Sequence, residues 1–106
     1  MITRGGFAPT PSGSMHLGNA MTALLAWLQM RSVNGELILR IEDIDKQRSK
    51  TDYADQIMYD LRWLGLNWDE GSDNGGLYQP YTQSLRQAYY EESLQKLHEN
   101  DWLYPC

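Results

Sequence analysis

Apolar residues recur along this chain with two different periods, and their alternation predicts an α/β fold. Residues 3–8 form a short, partly apolar segment that predicts a strand, which its two glycines weaken. Residues 17–31 are apolar at every third or fourth position and predict a helix, which the Asn-Gly pair at 34–35 ends. Residues 36–41 are almost continuously apolar, a pattern typical of a parallel strand that is covered on both faces.

The helical period returns in the second half of the chain. Ser49 and Asp52 are spaced as a capping pair for a second helix, which Gly65 ends. One face of this helix is apolar: Ala54, Ile57, Met58, Leu61 and Leu64. Residues 66–80 hold many turn-forming residues and predict an irregular loop, of a length that is usually functional or mobile.

A third helix is predicted over residues 81–100, followed by the start of another strand at residues 102–104. The residues of this helix that we expect to face the core are Leu85, Ala88, Tyr89, Leu94 and Leu97. The strand, helix and strand within residues 3–41 make a βαβ unit, and ligands of such sheets bind at the carboxyl ends of the strands. The polar stretches 9–18 and 42–45 both fall at that edge, so we expect them to share one crevice.

Composition places the chain among ordinary globular proteins, with 42% hydrophobic and 22% charged residues. Its net charge of −5 does not suit a stand-alone nucleic-acid binder, because Lys and Arg supply most non-specific affinity for phosphates. No apolar run reaches about 18 residues and no charged-then-apolar leader is present, so we expect neither a membrane span nor a secretory signal. A single cysteine excludes an internal disulfide and suits a cytoplasmic location.

The segment between the first strand and the first helix carries the first candidate site. Two prolines and a glycine turn the chain at residues 9–13, and His16 and Gly18 stand where the helical pattern begins. A strand that turns into a helix N-terminus presents free backbone N–H groups and the positive end of the helix dipole, which bind anions. His16 would add a donor there, and Gly18 would leave room for a flat ring against the backbone. The same two residues are also typical of a simple helix cap or turn.

A cluster of charged residues follows the second strand: Arg40, Glu42, Asp43, Asp45 and Arg48. Its three carboxylates have the oxygen ligands that suit Mg²⁺ or Ca²⁺, and they also suit the ammonium group of an amino acid. A structural network in which the carboxylates pair with the two arginines is the third interpretation. With Lys46 and Lys50, the arginines form either a solvated loop face or a contact for nucleic acid.

These two segments resemble the signatures of class I aminoacyl-tRNA synthetases of the glutamate type. The first is Phe-Ala-Pro-Thr-Pro-Ser-Gly at 7–13 with His-Leu-Gly-Asn at 16–19, and the second is Arg-Ile-Glu-Asp-Ile-Asp-Lys-Gln-Arg at 40–48. Trp-Asp-Glu-Gly at 68–71 and the Tyr, Gln, Ser and Arg within 81–86 are similar to their counterparts in that family. The resemblance covers all 106 residues. It implies that they are the incomplete, N-terminal part of a catalytic domain: the first half of a Rossmann-like nucleotide-binding domain, with a mainly parallel sheet flanked by helices.

The same resemblance implies a reaction and the residues that carry it. Such enzymes use ATP, with Mg²⁺, to convert glutamate into glutamyl-adenylate, and then transfer the glutamyl group to tRNA. The residues that match the ATP site are Pro9, His16, Gly18 and Asn19, of which His16 and Gly18 are the catalytic candidates. The residues that match the glutamate site are Gly6, Phe7, Ala8, Pro9, Thr10 and Glu42, with Glu42 on the α-amino group. The two later acids and Arg48 would hold their loop in shape.

Ile44 and the Tyr-Pro-Cys ending are more similar to glutamyl-Q-tRNA(Asp) synthetases than to glutamyl-tRNA synthetases proper. The former load glutamate onto the modified base queuosine in tRNA(Asp), which we expect as the acceptor, with tRNA(Glu) as the alternative. Most contact with tRNA is expected from sequence beyond these residues. Trp68 and Tyr81 are expected to pack beneath the long loop, and Arg86 to face either nucleic acid or water.

Two departures from the family pattern keep a different kind of function open. Gly6 stands where the family has an arginine that binds the substrate carboxylate, and Arg4 lies too far along the strand to replace it. Loss of such a charged pair costs about 1.5–3 kcal/mol. The family's catalytic domain also continues past this point, with further glutamate and tRNA contacts and a second ATP loop. The alternative to an enzyme is a non-catalytic nucleotide-binding or interaction remnant.

Cys106 matches the first cysteine of the Cys-x-Cys zinc site found in many members of the family. Zinc takes four ligands, or three and a water, and His98 does not complete such a set with one cysteine. We therefore expect Zn²⁺ only in a complete protein. The open apolar edge of half a parallel sheet predicts marginal stability and self-association of these residues alone.

Overall fold

The chain folds into a three-stranded sheet with helices between and after its strands. A computed structural model describes all residues from 1 to 106. The strands are β1 (Arg4–Phe7), β2 (Glu36–Leu39) and β3 (Glu70–Gly71). The helices are α1 (Leu17–Ser32), α2 (Thr51–Trp63) and α3 (Gln87–Glu99), and a 3₁₀ helix at Gln83–Arg86 directly precedes α3. This order confirms the predicted α/β class.

The sheet is parallel throughout, in the order β1-β2-β3. Phe7 of β1 lies opposite Leu39 of β2, so the two strands end together and present their carboxyl ends at one edge. β3 corrects the prediction of a wholly irregular loop, since Glu70 pairs with Ile38. A strand of two residues is too short to show an alternation of apolar and polar positions, so the pattern could not reveal it.

The core lies where α1, α2 and β2 meet. Its buried residues are Ala23, Leu39, Ile57, Leu61 and Leu66, and Phe7, Met15, Trp27, Met58 and Trp68 pack around them. Along β2, Leu37 and Leu39 are buried whereas Glu36 and Ile38 are half-buried. The prediction that this strand is covered on both faces was therefore wrong. The physical reason is that α3, the remaining helix, buries none of its residues against the sheet.

The predicted ends of α1 and α2 are confirmed, but the predicted cap of α2 is not. Asn34 after α1 and Gly65 after α2 both have the positive φ of a helix stop, at 53° and 81°. The N-cap of α2 is Lys50, whose side chain makes no capping hydrogen bond, and the Ser49 hydroxyl has no partner. The start of α2 is set instead by the backbone, because the Lys50 amide donates to the Pro11 carbonyl at 3.1 Å.

The third predicted helix is divided and exposed. Its apolar side chains do not face a core, and Leu85 and Leu97 are 69% and 43% exposed. The predicted strand at 102–104 does not form, and Leu64 of the predicted apolar face of α2 is exposed as well. A helical period shows which side chains share a face, but burial of that face needs a second surface that this chain does not provide. None of the helices combines the length and the apolar character that crossing a membrane requires.

Candidate active site

A cavity of about 420 Å³ opens beside the loop that joins β1 to α1. Its wall is formed by the end of β1 and this loop together with two residues of α1 and one of α2: Phe7, Ala8, Pro9, Thr10, Ser12, Gly13, Ser14, Met15, His16, Asn19, Thr22 and Ile57. Two hydrogen bonds shape the loop, because the Ser12 amide donates to the Thr10 carbonyl at 2.9 Å and the Lys50 amide donates to Pro11. Pro11 itself is fully buried, so the loop is fastened at its middle.

His16 is the N-cap of α1 and lies at the rim of this cavity. Its backbone is extended, with φ −106° and ψ 173°. The Nδ1 atom accepts a hydrogen bond from the Gly18 amide at 3.0 Å, and the His16 amide donates to the Asn19 side chain at 3.2 Å. This reciprocal pair is a capping box. The sequence left a helix cap and an anion site as alternatives for His16, and the cap is confirmed.

The cap decides which part of the imidazole can act on a ligand. A neutral imidazole that accepts at Nδ1 carries its proton on Nε2, so only Nε2 can donate outward. The Gly18 amide is not free for an anion, contrary to the expectation, because His16 occupies it. The exposed imidazole at a helix N-terminus nevertheless keeps one N–H donor and a favourable dipole for negative charge.

Gly18 lies against the His16 ring and does not line the cavity. A Cβ atom at this position would stand 2.9 Å from His16 Cε1 and 3.1 Å from Nδ1, which is closer than the ring allows. The sequence interpretation gave Gly18 the role of leaving room for a ligand ring. In the structure the ring that needs this room is the imidazole of His16.

Glu42 follows β2 and is joined to the β1 loop through its backbone. The Glu42 amide donates to the Pro9 carbonyl at 2.9 Å, so the two predicted stretches meet through their backbones. Neither Glu42 nor Gly6 is among the residues of the cavity wall, whereas Phe7, Ala8, Pro9 and Thr10 are. The Glu42 carboxylate is 38% exposed, and its nearest cation is Arg40, with Nε 3.7 Å from Oε1.

The two other carboxylates of this cluster make structural contacts. Asp45 pairs with Arg48 at 2.8 Å and accepts the backbone amides of Gln47 and Arg48. The hydrogen bond from the Arg48 side chain is the main reason why the pKa of Asp45 falls below its usual value. Asp43 accepts two hydrogen bonds from Ser84. The structural interpretation is confirmed for Asp45, which pairs with Arg48, and in part for Glu42, whose contact with Arg40 is 3.7 Å long. Asp43 pairs with a serine and with neither arginine.

No group of three His, Cys, Asp or Glu side chains is placed to hold a metal ion. The interpretation of the 42–45 carboxylates as a metal site was therefore wrong, since Asp43 and Asp45 are directed to protein donors instead. Cys106 is an exposed, free cysteine, and the residues present do not fit a zinc ion. We assign no chemical step to either metal in this chain.

Gly6 leaves open space on the sheet. A Cβ at this position would meet nothing closer than the Ile38 carbonyl oxygen at 3.6 Å, which is an ordinary contact. Arg4 cannot reach into this space without losing partners. Its guanidinium pairs with Glu36 at 3.0 Å and with Glu70, and it lies 5.4 Å from the centre of the Tyr78 ring.

Sequence reasoning missed the contacts that hold the loop of residues 66–80 in place. Glu70 accepts from both Arg4 and the Tyr81 hydroxyl. Burial and this bond to Glu70 raise the pKa of Tyr81. Arg86 also fastens this segment, because its Nη1 atom donates to the Tyr78 and Pro80 carbonyls at 3.0 Å. No local signal could reveal such pairs, since Arg4 and Glu70 are 66 residues apart.

Trp68 and Asp69 fasten the same loop. The Trp68 indole donates to Asp73 at 2.9 Å, and Tyr81 is buried, so the predicted packing of both aromatic residues beneath the loop is confirmed. Asp69 accepts from the Leu37 amide and from Arg31, each at 2.8 Å. Burial alone would raise the pKa of Asp69, but these two donors outweigh it and lower the pKa below its usual value.

Comparison with known proteins identifies the family to which this fold belongs. The family model of class I tRNA synthetases (E and Q), catalytic domain, matches residues 2–106. The chain belongs to this family. The parallel sheet, the loop that turns into a capped helix and the cluster after β2 are therefore parts of a class I synthetase catalytic domain.

The chain is also similar to individual members of this family. The chain is 59% identical over 102 residues to a glutamyl-Q tRNA(Asp) synthetase of Symbiobacterium thermophilum, which covers 96% of this chain and 32% of that protein. It is 49% identical over 100 residues to glutamate–tRNA ligase 2 of Syntrophus aciditrophicus, covering 94% of this chain and 21% of that protein. The chain thus spans about a third or less of the length of these relatives.

A solved structure has the same fold over nearly the whole chain. It is a glutamate tRNA ligase from Elizabethkingia meningosepticum in complex with its amino acid, with a TM-score of 0.88 and 39% sequence identity. The match covers 93% of this chain and 20% of that protein. This likeness confirms the prediction of a Rossmann-like half domain with a parallel sheet.

Proposed function

We propose that this chain supplies ATP and glutamate contacts to an enzyme that activates glutamate and transfers it to tRNA. In the first step a carboxylate oxygen of glutamate attacks the α-phosphorus of ATP. The new bond gives glutamyl-adenylate, and the bond to the β-phosphate oxygen breaks and releases pyrophosphate. In the second step a hydroxyl group of the tRNA attacks the acyl carbon, loses its proton, and releases AMP.

The position of His16 is the single observation that carries this proposal. His16 lines a 420 Å³ cavity and caps the N-terminus of a 16-residue helix, and its Nε2 would be the atom that donates to a ligand. A donor fixed in this way stabilises negative charge that develops on the α-phosphate, because it needs no reorganisation when the charge appears. Asn19 and Pro9, which line the same cavity, would contact the nucleotide. Gly18 would act through His16.

Glutamate would lie toward Phe7, Ala8 and Thr10, with its ammonium group on Glu42. The Glu42 carboxylate is accessible and bonded to no other side chain within 3.5 Å, which suits an ammonium ligand. Gly6 offers space but no charge for the substrate carboxylate. No residue of this chain is assigned to Mg²⁺, which would arrive with the phosphates of ATP.

For the acceptor we propose the queuosine of tRNA(Asp), with tRNA(Glu) as the alternative. The support for queuosine is the 59% identity to a protein named glutamyl-Q tRNA(Asp) synthetase. Identity to a glutamate–tRNA ligase is lower, at 49%. Charging assays with tRNA(Asp) that carries or lacks queuosine, and with tRNA(Glu), distinguish the two acceptors. We propose a cytoplasmic location, where free tRNA is available.

The proposed activity is tested by glutamate-dependent exchange of pyrophosphate into ATP, measured on the full-length protein that carries this sequence. We expect exchange with glutamate and none with aspartate. A non-catalytic remnant is the second candidate, and it is favoured by Gly6 together with the commitment of Arg4 to Glu36 and Glu70. Calorimetry separates them, because a remnant binds neither ATP nor glutamate with useful affinity.

A further inference from the structure

We propose that Ser84 is a positioning residue for Glu42 and acts on it through Asp43. This inference rests on the proposed function, in which Glu42 holds the ammonium group of glutamate. Ser84 lies 41 residues beyond Asp43, at the start of the segment that leads into α3. Ser84 is not among the residues that line the cavity and its side chain makes no hydrogen bond to Glu42, so its effect on the substrate would be indirect.

The contact between Asp43 and Ser84 is bidentate. The Ser84 amide donates to Asp43 Oδ1 at 2.8 Å, and the Ser84 hydroxyl donates to Oδ2 at 2.7 Å. Both residues are half-buried. Hydrogen bonds to a charged acceptor are stronger than neutral ones, and partial burial weakens the competition from water. Both carboxylate oxygens are therefore held in place.

Asp43 also completes a helix that lacks its own cap. Thr82, the N-cap of the 3₁₀ helix, makes no side-chain capping bond. The carboxylate of Asp43 takes the amide of Ser84 instead and places negative charge near the first turn, where the backbone N–H groups point. The loop after β2 and the 3₁₀ helix thus stabilise each other, although each is irregular on its own.

Hydrogen bonds hold three consecutive residues, and the middle one is Glu42, the candidate ligand of the substrate ammonium group. Ile41 donates its amide to the Tyr81 carbonyl at 2.9 Å and accepts the Gln83 amide at 2.8 Å. Glu42 donates to Pro9 on the opposite side, and Asp43 is held by Ser84. These bonds on both neighbours restrain the Glu42 backbone relative to the β1 loop. Without the Ser84 hydroxyl, Asp43 keeps only the hydrogen bond from the backbone amide of residue 84.

The test compares Ser84→Ala with Ser84→Thr in the full-length protein, using pyrophosphate exchange at varied glutamate and varied ATP. We expect Ser84→Ala to raise the KM for glutamate about three- to tenfold. This is less than the full effect of a lost hydrogen bond to a charge, because the backbone amide of residue 84 still holds Asp43 and the effect on glutamate is indirect. The KM for ATP should stay unchanged. Ser84→Thr keeps the hydroxyl and should restore the KM for glutamate. Ser93→Ala is the matched control, since its hydroxyl bonds only the Tyr89 carbonyl within exposed α3.

The outcomes separate the two proposals. A wild-type protein without glutamate-dependent exchange overturns the proposed function. With wild-type exchange present, an unchanged KM for glutamate in Ser84→Ala, or an equal rise for ATP, overturns the positioning role. If Ser84→Ala does not fold, Asp43→Asn replaces it, because an amide oxygen still accepts the Ser84 amide. A selective but smaller rise in the KM for glutamate then supports the role, and no selective rise overturns it.

Discussion

The imidazole Nδ1 of His16 accepts the Gly18 amide at 3.0 Å, and this one bond gives His16 both a structural and a chemical role. It caps α1, and it also leaves Nε2 as the only nitrogen that can donate to a ligand. The absence of a side chain at Gly18 is what lets the ring lie there. Two substitutions of His16 separate these roles.

His16→Ala should remove the cap and the donor together. We expect it to lower the free energy of unfolding by about 1 kcal/mol, the usual value of an N-cap. We also expect adenylate formation to slow by about ten- to a thousandfold, the cost of losing one oriented donor. His16→Asn supplies a good N-cap without the imidazole, so it should restore stability but not the rate. Urea unfolding and pyrophosphate exchange measure the two effects, and equal rates for wild type and His16→Asn would contradict the role of Nε2.

Gly18→Ala should displace the His16 ring, because the added Cβ would stand 2.9 Å from Cε1. A shift of this kind is expected to slow adenylate formation by about ten- to a hundredfold, since catalysis depends on the position of the donor. Gly13→Ala is the control for protein stability, because a Cβ at Gly13 meets nothing within 4 Å. If Gly18→Ala exchanges pyrophosphate at the wild-type rate, the close approach of Gly18 to the His16 ring does not affect adenylate formation.

Gly6→Arg should strengthen glutamate binding. Gly6 is exposed and a Cβ there would make only an ordinary contact, and the resemblance to the synthetase family implies an arginine at this position for the substrate carboxylate. A charged pair contributes about 1.5–3 kcal/mol, which corresponds to roughly one to two decades in affinity. Gly6→Gln is the control, a shorter polar side chain that carries no charge. Calorimetry with glutamate decides, and equal affinities for the arginine and glutamine variants would place the substrate carboxylate elsewhere.

Low pH should destabilise the protein at the loop before β3, because Asp69 becomes protonated there. The pKa of Asp69 is lower in the folded protein than the ordinary value of 3.8, so the ionised group stabilises the fold. This contribution is complete above the unfolded pKa and is lost as the pH falls through the folded pKa. We therefore expect the stability of the wild type to fall between about pH 5 and pH 2 with a contribution from Asp69. Chemical unfolding at a series of pH values measures it.

Asp69→Asn should reduce stability at neutral pH and flatten this acid dependence. The amide can still accept the Leu37 amide, but it no longer pairs with the charge of Arg31. Asp101→Asn is the control, because Asp101 is exposed and its side chain makes no hydrogen bond or ion pair. The same acid dependence in wild type and Asp69→Asn would show that Asp69 does not couple folding to pH.

The elements whose signals are local could be predicted from the amino-acid sequence. The 3.6-residue period of α1 and the continuous apolar run of β2 depend only on neighbours along the chain. The motifs that contain His16 and Glu42 are also local, so their place at the carboxyl ends of parallel strands followed from the βαβ pattern. The cap formed by His16 was recognised as an alternative, because its position at the start of the helical pattern indicated it.

Tertiary structure alone decided the features whose partners lie far apart along the chain. The pair Asp43 and Ser84 and the pair Arg4 and Glu70 join residues 41 and 66 positions apart, and no periodicity selects one distant partner over another. β3 forms only because β2 offers it an edge. The apolar face of α3 shows the same limit, since its pattern is clear but the chain holds no surface to cover it. Burial and pairing are properties of two surfaces brought together, and a sequence pattern describes only one of them.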